Sequence, residues 1–274
     1  MASLSPTTPP DTPGAAARSP LAARLADCAA RGRTALVCYV TAGHPDPAAS
    51  VALLRGLPEA GADLIEVGVP FSDPMADGPV IQQSSQVAIG HGVTLDRTLS
   101  LVAEAQPAAP VVLFTYLNPL LAGGADVLGR ARAAGVAGVL VTDLPVGADP
   151  ERERWCGASG LDFVRLVAPT TPVGRMADIG RHGGGFVYLI SRLGVTGERD
   201  ALADDLPETV ARLRQATALP ICVGFGISTP AQAVAAARLA DGVVVGSALV
   251  RAAGRSVGEA LAFVRGLREA LDAA

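Results

Sequence analysis

Eight short apolar runs, separated by longer segments with a helical pattern, constrain the fold of this 274-residue chain more than any other feature. The runs occupy residues 35–41, 62–68, 110–116, 138–143, 162–167, 185–191, 220–223 and 242–246. Most of them are continuously apolar rather than alternating, which is typical of strands that are buried on both faces of a parallel sheet.

The segments between the runs carry helix signals. Thr229-Pro230 combines a capping hydroxyl with a proline at the first helical position, and apolar residues recur at helical spacing after Asp46. We therefore predict a helix that begins at Thr229-Pro230, further helices over 46–60, 206–215 and 256–271, and an extra N-terminal amphipathic helix over 21–31 that could form a floor.

Eight strand–helix units in about 250 residues predict an α/β fold, a single (β/α)8 TIM barrel. A doubly wound open sheet is the alternative, but the count of eight and the lack of a GxGxxG motif after the first run favour the barrel. Because no linker interrupts residues 21–274, we assign them to one catalytic domain. Residues 1–20 are rich in Pro, Ser, Thr and Ala and lack the apolar core of a secretory signal, so we predict a disordered extension.

Composition argues against several classes of function. A net charge of −4 gives no electrostatic reason to expect nucleic acid or an anionic membrane as a partner. No apolar run approaches the roughly 20 residues that span a bilayer, and we expect a cytoplasmic protein. Four cysteines and three histidines form neither a CxxC pair nor a ligand cluster, so we predict reduced thiols and no metal site.

Lysine is absent from the sequence, and all 22 basic side chains are arginines. No side chain can therefore form a Schiff base with a carbonyl substrate or attach pyridoxal phosphate covalently. Any phosphate must be held by backbone N–H groups, hydroxyls or arginines.

Two carboxylates stand near the end of the second run. Glu66 lies among the apolar residues of the run, and the loop that follows it carries Asp77. A carboxylate on an apolar strand is costly unless it is paired or used, and two carboxylates in different surroundings are typical of acid–base chemistry. A structural Glu66 held by a buried hydrogen bond and an Asx turn at Asp77 are the alternative interpretations.

The loops that follow the seventh and eighth runs contain Gly226, Gly246 and Ser247. Barrels of this class often bind phosphate there, because glycine lets the backbone approach an anion and a helix begins nearby. The glycines could also serve only to form tight turns.

Other strand ends carry weaker candidates. Tyr116 and Tyr188 could pack or take part in a site, and we interpret Asp143 as structural. The polar segment 191–201 contains two glycines and suits a mobile lid, although an ordinary surface loop would have a similar composition.

Six motifs together resemble the tryptophan synthase alpha chain family across residues 21–274. They are LIEVGVPFSDPMADGPVIQ from Leu64, YLNP from Tyr116, TDLP from Thr142, YLISRLGVTG from Tyr188, GFGIS from Gly224 and GSALV from Gly246. The resemblance implies a (β/α)8 barrel that cleaves indole-3-glycerol phosphate to indole and glyceraldehyde 3-phosphate, a retro-aldol lyase without a metal or an organic cofactor.

The resemblance also implies roles for individual residues. Glu66 matches the family's general acid/base, Asp77 matches the carboxylate that binds the indole N–H, and Tyr188 matches a supporting tyrosine. The remaining matches are the phosphate-binding positions Gly197, Gly226, Gly246 and Ser247 and the closing-loop residues Arg192 and Thr196. Departures are mild, since Tyr39 stands where the family often has Phe and Met75 where it often has Leu.

A beta chain that carries pyridoxal phosphate is the partner that the resemblance implies, in an α2β2 tetramer through which indole passes by a tunnel. We expect the contact surface near residues 71–81 and 116–122. Three alternatives stay open: a stand-alone lyase, another phosphosugar barrel enzyme, and a barrel that only binds a phosphorylated ligand or activates a partner. An indole-glycerol-phosphate synthase fits poorly because its chemistry relies on a lysine.

Overall fold

Eight parallel strands close into a barrel in the computed structural model, which describes residues 19–190, 205–224 and 226–274. The strands follow one another around the barrel in chain order, and the eighth pairs back with the first. The predicted (β/α)8 barrel is therefore confirmed, and the doubly wound open sheet is excluded.

Each strand overlaps one of the eight predicted runs, with bounds that differ by up to two residues. They are β1 Ala35–Thr41, β2 Leu64–Gly68, β3 Val111–Thr115, β4 Val136–Val141, β5 Asp162–Val167, β6 Val187–Ile190, β7 Ile221–Gly224 and β8 Gly242–Val245. The prediction of 138–143 for β4 was wrong at both ends. A register shift between Val111 and Val112 of β3 extends the pairing back to Val136, and the strand ends at Val141. Asp143 consequently lies in the loop after β4.

Twelve helices occur within the described residues. They are α1 Pro20–Ala30, α2 Pro47–Gly56, α3 Pro79–Gly90, α4 Leu95–Ala105, α5 Leu117–Ala122, α6 Val127–Ala133, α7 Pro150–Gly157, α8 Val173–Arg181, α9 Leu206–Ala216, α10 Pro230–Ala237, α11 Ser247–Arg255 and α12 Val257–Asp272. The expected cap at Thr229 is present and forms a capping box with Gln232. Asp46 also caps α2 by accepting the N–H of Ala49. In this part of the chain, none of the helices has the length and apolarity needed to cross a bilayer.

The extra helix α1 closes the amino-terminal end of the barrel. Its side chains Leu21, Leu25 and Cys28 join the cluster that fills the barrel interior. Leu21 is fully buried, and it packs so close to Gly138 and Gly185 that a Cβ there would lie 2.6 Å and 2.9 Å from its Cδ1. The floor that the sequence predicts is thus built from apolar contacts between α1 and the strand starts.

A buried carboxylate ties the last helix to the same end of the barrel. Asp63, which immediately precedes β2, accepts the N–H of Leu36 at 2.9 Å and Nη1 of Arg33 at 2.8 Å. Nη1 of Arg268 on α12 lies 3.5 Å from the other side of the carboxylate. Two guanidinium groups therefore neutralise a carboxylate that is withdrawn from water.

Candidate active site

Glu66 faces the barrel interior from β2. It lies beside Tyr39 of β1 and Val112 of β3 in the strand register and is fully buried. Neither oxygen of its carboxyl group has a hydrogen-bond partner among the described residues. Burial raises the pKa of Glu66 to about 8, so at neutral pH this carboxyl group is mostly protonated and can donate a proton.

Asp77 lies in the loop between β2 and α3, one residue before the N-cap Gly78. Its N–H donates to the carbonyl of Pro74 at 3.0 Å, and its own carbonyl accepts Nε2 of Gln82 at 2.9 Å. Burial raises the pKa of Asp77 to about 6, while a hydrogen bond from Tyr116 acts in the opposite direction. Asp77 is therefore mostly ionised at neutral pH, in contrast to Glu66.

Tyr116 fastens the Asp77 loop to the end of β3. Its hydroxyl donates to Oδ2 of Asp77 at 3.1 Å and accepts the N–H of Ala76 at 2.9 Å. The ring of Phe71 lies 5.1 Å from the Tyr116 ring, centroid to centroid. Sequence reasoning left Tyr116 undecided between packing and the site, and only its position in YLNP at a strand end marks it.

Tyr188 and Tyr39 bring their hydroxyl groups into the interior near Glu66. The Tyr188 oxygen lies 2.1 Å from where a Cβ on Gly224 would be, and the Tyr39 oxygen lies 2.0 Å from where a Cβ on Gly68 would be. Burial, followed by the Glu66 carboxylate, raises the pKa of Tyr188 well above its ordinary value. Glycine on the neighbouring strand thus gives each phenol the room it needs.

The predicted phosphate-binding residues follow β7 and β8. Gly226 has a φ of +87°, in the left-handed region that glycine adopts readily. Gly246 is the N-cap of α11, and Ser247 is the first residue of that nine-residue helix. Because the N–H groups of a first helical turn have no intrahelical acceptors, this turn favours an anion at the same barrel end as Asp77.

Three predicted residues, Arg192, Thr196 and Gly197, lie outside the described residues, as does the whole segment 191–201. Asp143 accepts the N–H of Leu117 at 2.7 Å, which agrees with its predicted structural role at the start of α5. Over the described ranges, no group of three or more His, Cys, Asp or Glu side chains could hold a metal ion. All four cysteines are free and buried.

The carboxyl-terminal mouth of the barrel therefore combines three chemical functions. A protonated carboxyl group can deliver a proton, an ionised carboxylate can stabilise a positive charge, and a helix start can hold a phosphate. Two carboxyl groups whose pKa values are separated by their surroundings are the usual basis of acid–base catalysis on one substrate.

Known proteins share both the sequence and the fold. The family model "Tryptophan synthase alpha chain" matches residues 25–270. The alpha chains of Chromobacterium violaceum and Citrifermentans bemidjiense are each 50% identical to this chain, over 83% of its length and over 89% and 86% of theirs. A solved chain of Mycobacterium tuberculosis tryptophan synthase superposes with a TM-score of 0.86 at 37% identity, covering 93% of this chain and 98% of that one. With agreement along nearly the entire barrel, this chain belongs to the tryptophan synthase alpha chain family.

Proposed function

We propose that Glu66 and Asp77 carry the chemistry of this chain, a carbon–carbon lyase that cleaves indole-3-glycerol phosphate to indole and glyceraldehyde 3-phosphate. The main support is the contrast between a buried carboxyl group with a pKa of about 8 and a second one with a pKa of about 6. One group is ready to give a proton at the pH at which the other is an anion.

Glu66 acts first as an acid and then as a base. Its proton moves to C3 of the indole ring, which leaves a positive charge on the ring nitrogen. The carboxylate then takes the proton of the hydroxyl group on the adjacent carbon, a C=O bond forms there, and the bond between that carbon and C3 breaks. The bonding electrons return to the ring, so Glu66 regains its proton and no enzyme imine is needed, in a chain without lysine.

Asp77 binds the indole N–H and stabilises the charge that develops on the nitrogen. An anion that is already fixed in position does this without reorganisation at the moment of reaction. The hydrogen bond from Tyr116 and the turn closed by Gln82 supply that fixation. Tyr188 supports the site through its hydroxyl, which lies close enough to Glu66 for the carboxylate to affect its pKa.

Phosphate binding falls to Gly197, Gly226, Gly246 and Ser247, with Arg192 and Thr196 in the loop that closes over the substrate. The positive end of α11 supports the contribution of Gly246 and Ser247. We further infer that residues 21–274 contain the whole catalytic unit, preceded by the extension 1–20.

Members of this family work with a beta chain. We infer an α2β2 tetramer in the cytoplasm in which only the beta chain carries pyridoxal phosphate, and this chain carries no cofactor. The expected contact segments, 71–81 and 116–122, contain Met75 and Leu121, which are 84% and 40% exposed. A beta chain bound at these segments would cover both apolar side chains.

The decisive experiment measures indole release from indole-3-glycerol phosphate by the purified chain, with and without a tryptophan synthase beta chain. We expect the rate to rise sharply with the beta chain and to fall by roughly 100-fold or more in Glu66→Gln, because general acid–base catalysis is lost. Glu59→Gln, which changes an exposed carboxylate, is the matched control and should keep the wild-type rate.

Each other outcome has a defined meaning. Fast cleavage that does not respond to the beta chain would identify a stand-alone lyase. Wild-type turnover by Glu66→Gln would refute the assigned role of Glu66. A folded chain that binds glycerol phosphate but cleaves nothing in either condition would point to a binding role.

A further inference from the structure

Three buried hydroxyl groups connect β1 to α3 through a chain of hydrogen bonds. The side chains of Tyr39 and Thr41 are hydrogen-bonded to each other. Oγ1 of Thr41 lies 2.7 Å from Oγ of Ser84, which in turn donates to the carbonyl of Ile81 at 2.8 Å. All three side chains are buried, so bulk water does not compete for these bonds.

Each hydroxyl group in this chain carries a single proton and also accepts through its lone pairs. Either Thr41 or Ser84 can be the donor in the bond between them, and the hydrogen bond with Thr41 acts to lower the pKa of Tyr39. The Tyr39 hydroxyl therefore keeps hydrogen-bonding capacity, as a donor or as an acceptor, toward the barrel interior. Burial, followed by the Asp77 carboxylate, raises the pKa of Tyr39 well above its ordinary value, which keeps the phenol protonated.

Tyr39 also spans two parts of the proposed substrate site. At one end of the side chain, the Cβ of Tyr39 lies 3.5 Å from where a Cβ on Gly246 would be, next to the proposed phosphate site. At the other end, its oxygen lies against Gly68, two residues beyond Glu66 on β2. The edge-to-face contact with Phe114, at 5.3 Å and 83°, holds the ring in this direction. The ring thus runs along the wall between the phosphate site and the carboxyl group that transfers protons.

We propose that the Tyr39 hydroxyl forms a hydrogen bond with the substrate's second glycerol hydroxyl, the one that glyceraldehyde 3-phosphate retains. This assignment rests on the function proposed above, in which Glu66 acts on the first hydroxyl. In the substrate the carbon that bears the second hydroxyl lies between the carbon of the first hydroxyl and the phosphate, just as the Tyr39 ring lies between Glu66 and the turn at Gly246. A phenylalanine would provide the same ring without the hydroxyl group, so Tyr39 selects for a hydroxylated chain.

The test compares the binding of two ligands to variants that do not cleave the substrate. Glu66→Gln and Glu66→Gln/Tyr39→Phe are titrated by calorimetry with indole-3-glycerol phosphate and with indole-3-propanol phosphate, which lacks both hydroxyl groups. We expect Tyr39→Phe to weaken binding of the glycerol ligand about five- to tenfold, as for one neutral hydrogen bond. Binding of the propanol ligand should stay within about twofold, which also demonstrates that the site is intact.

Two results would overturn the assignment. Equal weakening of both ligands would mean that Tyr39 acts only through the shape of the site, and unchanged binding of both would mean that no such hydrogen bond forms. A wild-type chain that binds neither ligand would instead overturn the proposed function, so the two failures are distinguishable.

Discussion

The hydroxyl group of Tyr116 donates to Oδ2 of Asp77 at 3.1 Å, between residues that are 39 positions apart in the chain. The same oxygen accepts the N–H of Ala76, so the phenol holds both the loop backbone and the carboxylate. Because burial raises the pKa of Asp77 and this hydrogen bond lowers it, Tyr116 helps to keep Asp77 ionised at neutral pH.

We predict that Tyr116→Phe shifts the acid limb of the kcat/KM profile to higher pH. Without the donor, the pKa of Asp77 rises above about 6, so the carboxylate is protonated over more of the acid range. Activity should fall roughly three- to tenfold near the limb, as for one lost hydrogen bond, and less at alkaline pH.

The measurement is a pH–rate profile of indole release for Tyr116→Phe and for the control Phe71→Leu. The control changes the ring that packs on Tyr116 but keeps the hydrogen bond to Asp77, so its limb should not move. A limb that stays in place in both variants would contradict the role of Tyr116.

Glu66 should make the protein less stable as the pH rises. Its pKa is about 8 in the folded chain against an ordinary value of 4.5, so between these values the folded state keeps a proton that the unfolded state has lost. The free energy of unfolding therefore falls with pH across this window. At about 1.4 kcal/mol per pH unit, the fall attributable to Glu66 reaches roughly 5 kcal/mol.

Urea unfolding at several pH values between about 5 and 8 tests this expectation. Glu66→Gln should flatten the dependence and should be more stable than the wild type at the alkaline end, whereas Glu59→Gln should leave the curve unchanged. Asp77, with its pKa of about 6, contributes a smaller fall at the acid end in all three proteins. Parallel curves for wild type and Glu66→Gln would rule out the raised pKa.

Gly68→Ala should destabilise the barrel. The added Cβ would lie 2.0 Å from the Tyr39 oxygen and 2.6 Å from its Cζ, and Tyr39 is held by Phe114 and Thr41. We expect a loss of about 1–3 kcal/mol, typical of overpacking, together with reduced activity.

The matched control is Gly90→Ala, since a Cβ at Gly90 in α3 would meet nothing within 4 Å. That change should be neutral or slightly stabilising because alanine favours the helix. Adding Tyr39→Leu to Gly68→Ala should recover part of the lost stability, and strictly additive free energies would argue against a collision between the two side chains.

Asp63→Asn should cost about 3–5 kcal/mol, because it leaves two guanidinium groups beside a buried position without their carboxylate. Asp272→Asn removes a half-exposed partner of the same arginines and should cost at most about 1 kcal/mol. The midpoints of urea unfolding, measured for both variants and for the wild type, test these two costs. Because this cluster lies at the barrel floor, indole release per folded molecule should not change, and similar losses in both variants would contradict the difference in burial.

Features repeated along the chain could be predicted from the sequence, whereas contacts between distant segments could not. The eight apolar runs and the caps at Asp46 and Thr229 are local patterns, and they lead directly to the barrel. The bounds of β4 depend on a register shift against β3, which a strand's own residues do not encode.

The candidate site divides in the same way. The strand position of Glu66 and the loop position of Asp77 could be predicted locally, but the contact of Tyr116 with Asp77 and that of Thr41 with Ser84 join different βα units. Such pairs arise only when the barrel closes. The assigned roles of Glu66 and Asp77, like those of Arg192, Thr196 and Gly197, stay predictions until the variants are measured.

The helix α1, with Leu21 and Leu25 in the interior cluster, gives the barrel a blind end. A reactant that reaches Glu66 must arrive through the carboxyl-terminal mouth, and both products must depart on that side as well. A beta chain bound at the proposed contact segments would therefore lie beside the only end of the barrel through which indole can leave the described structure.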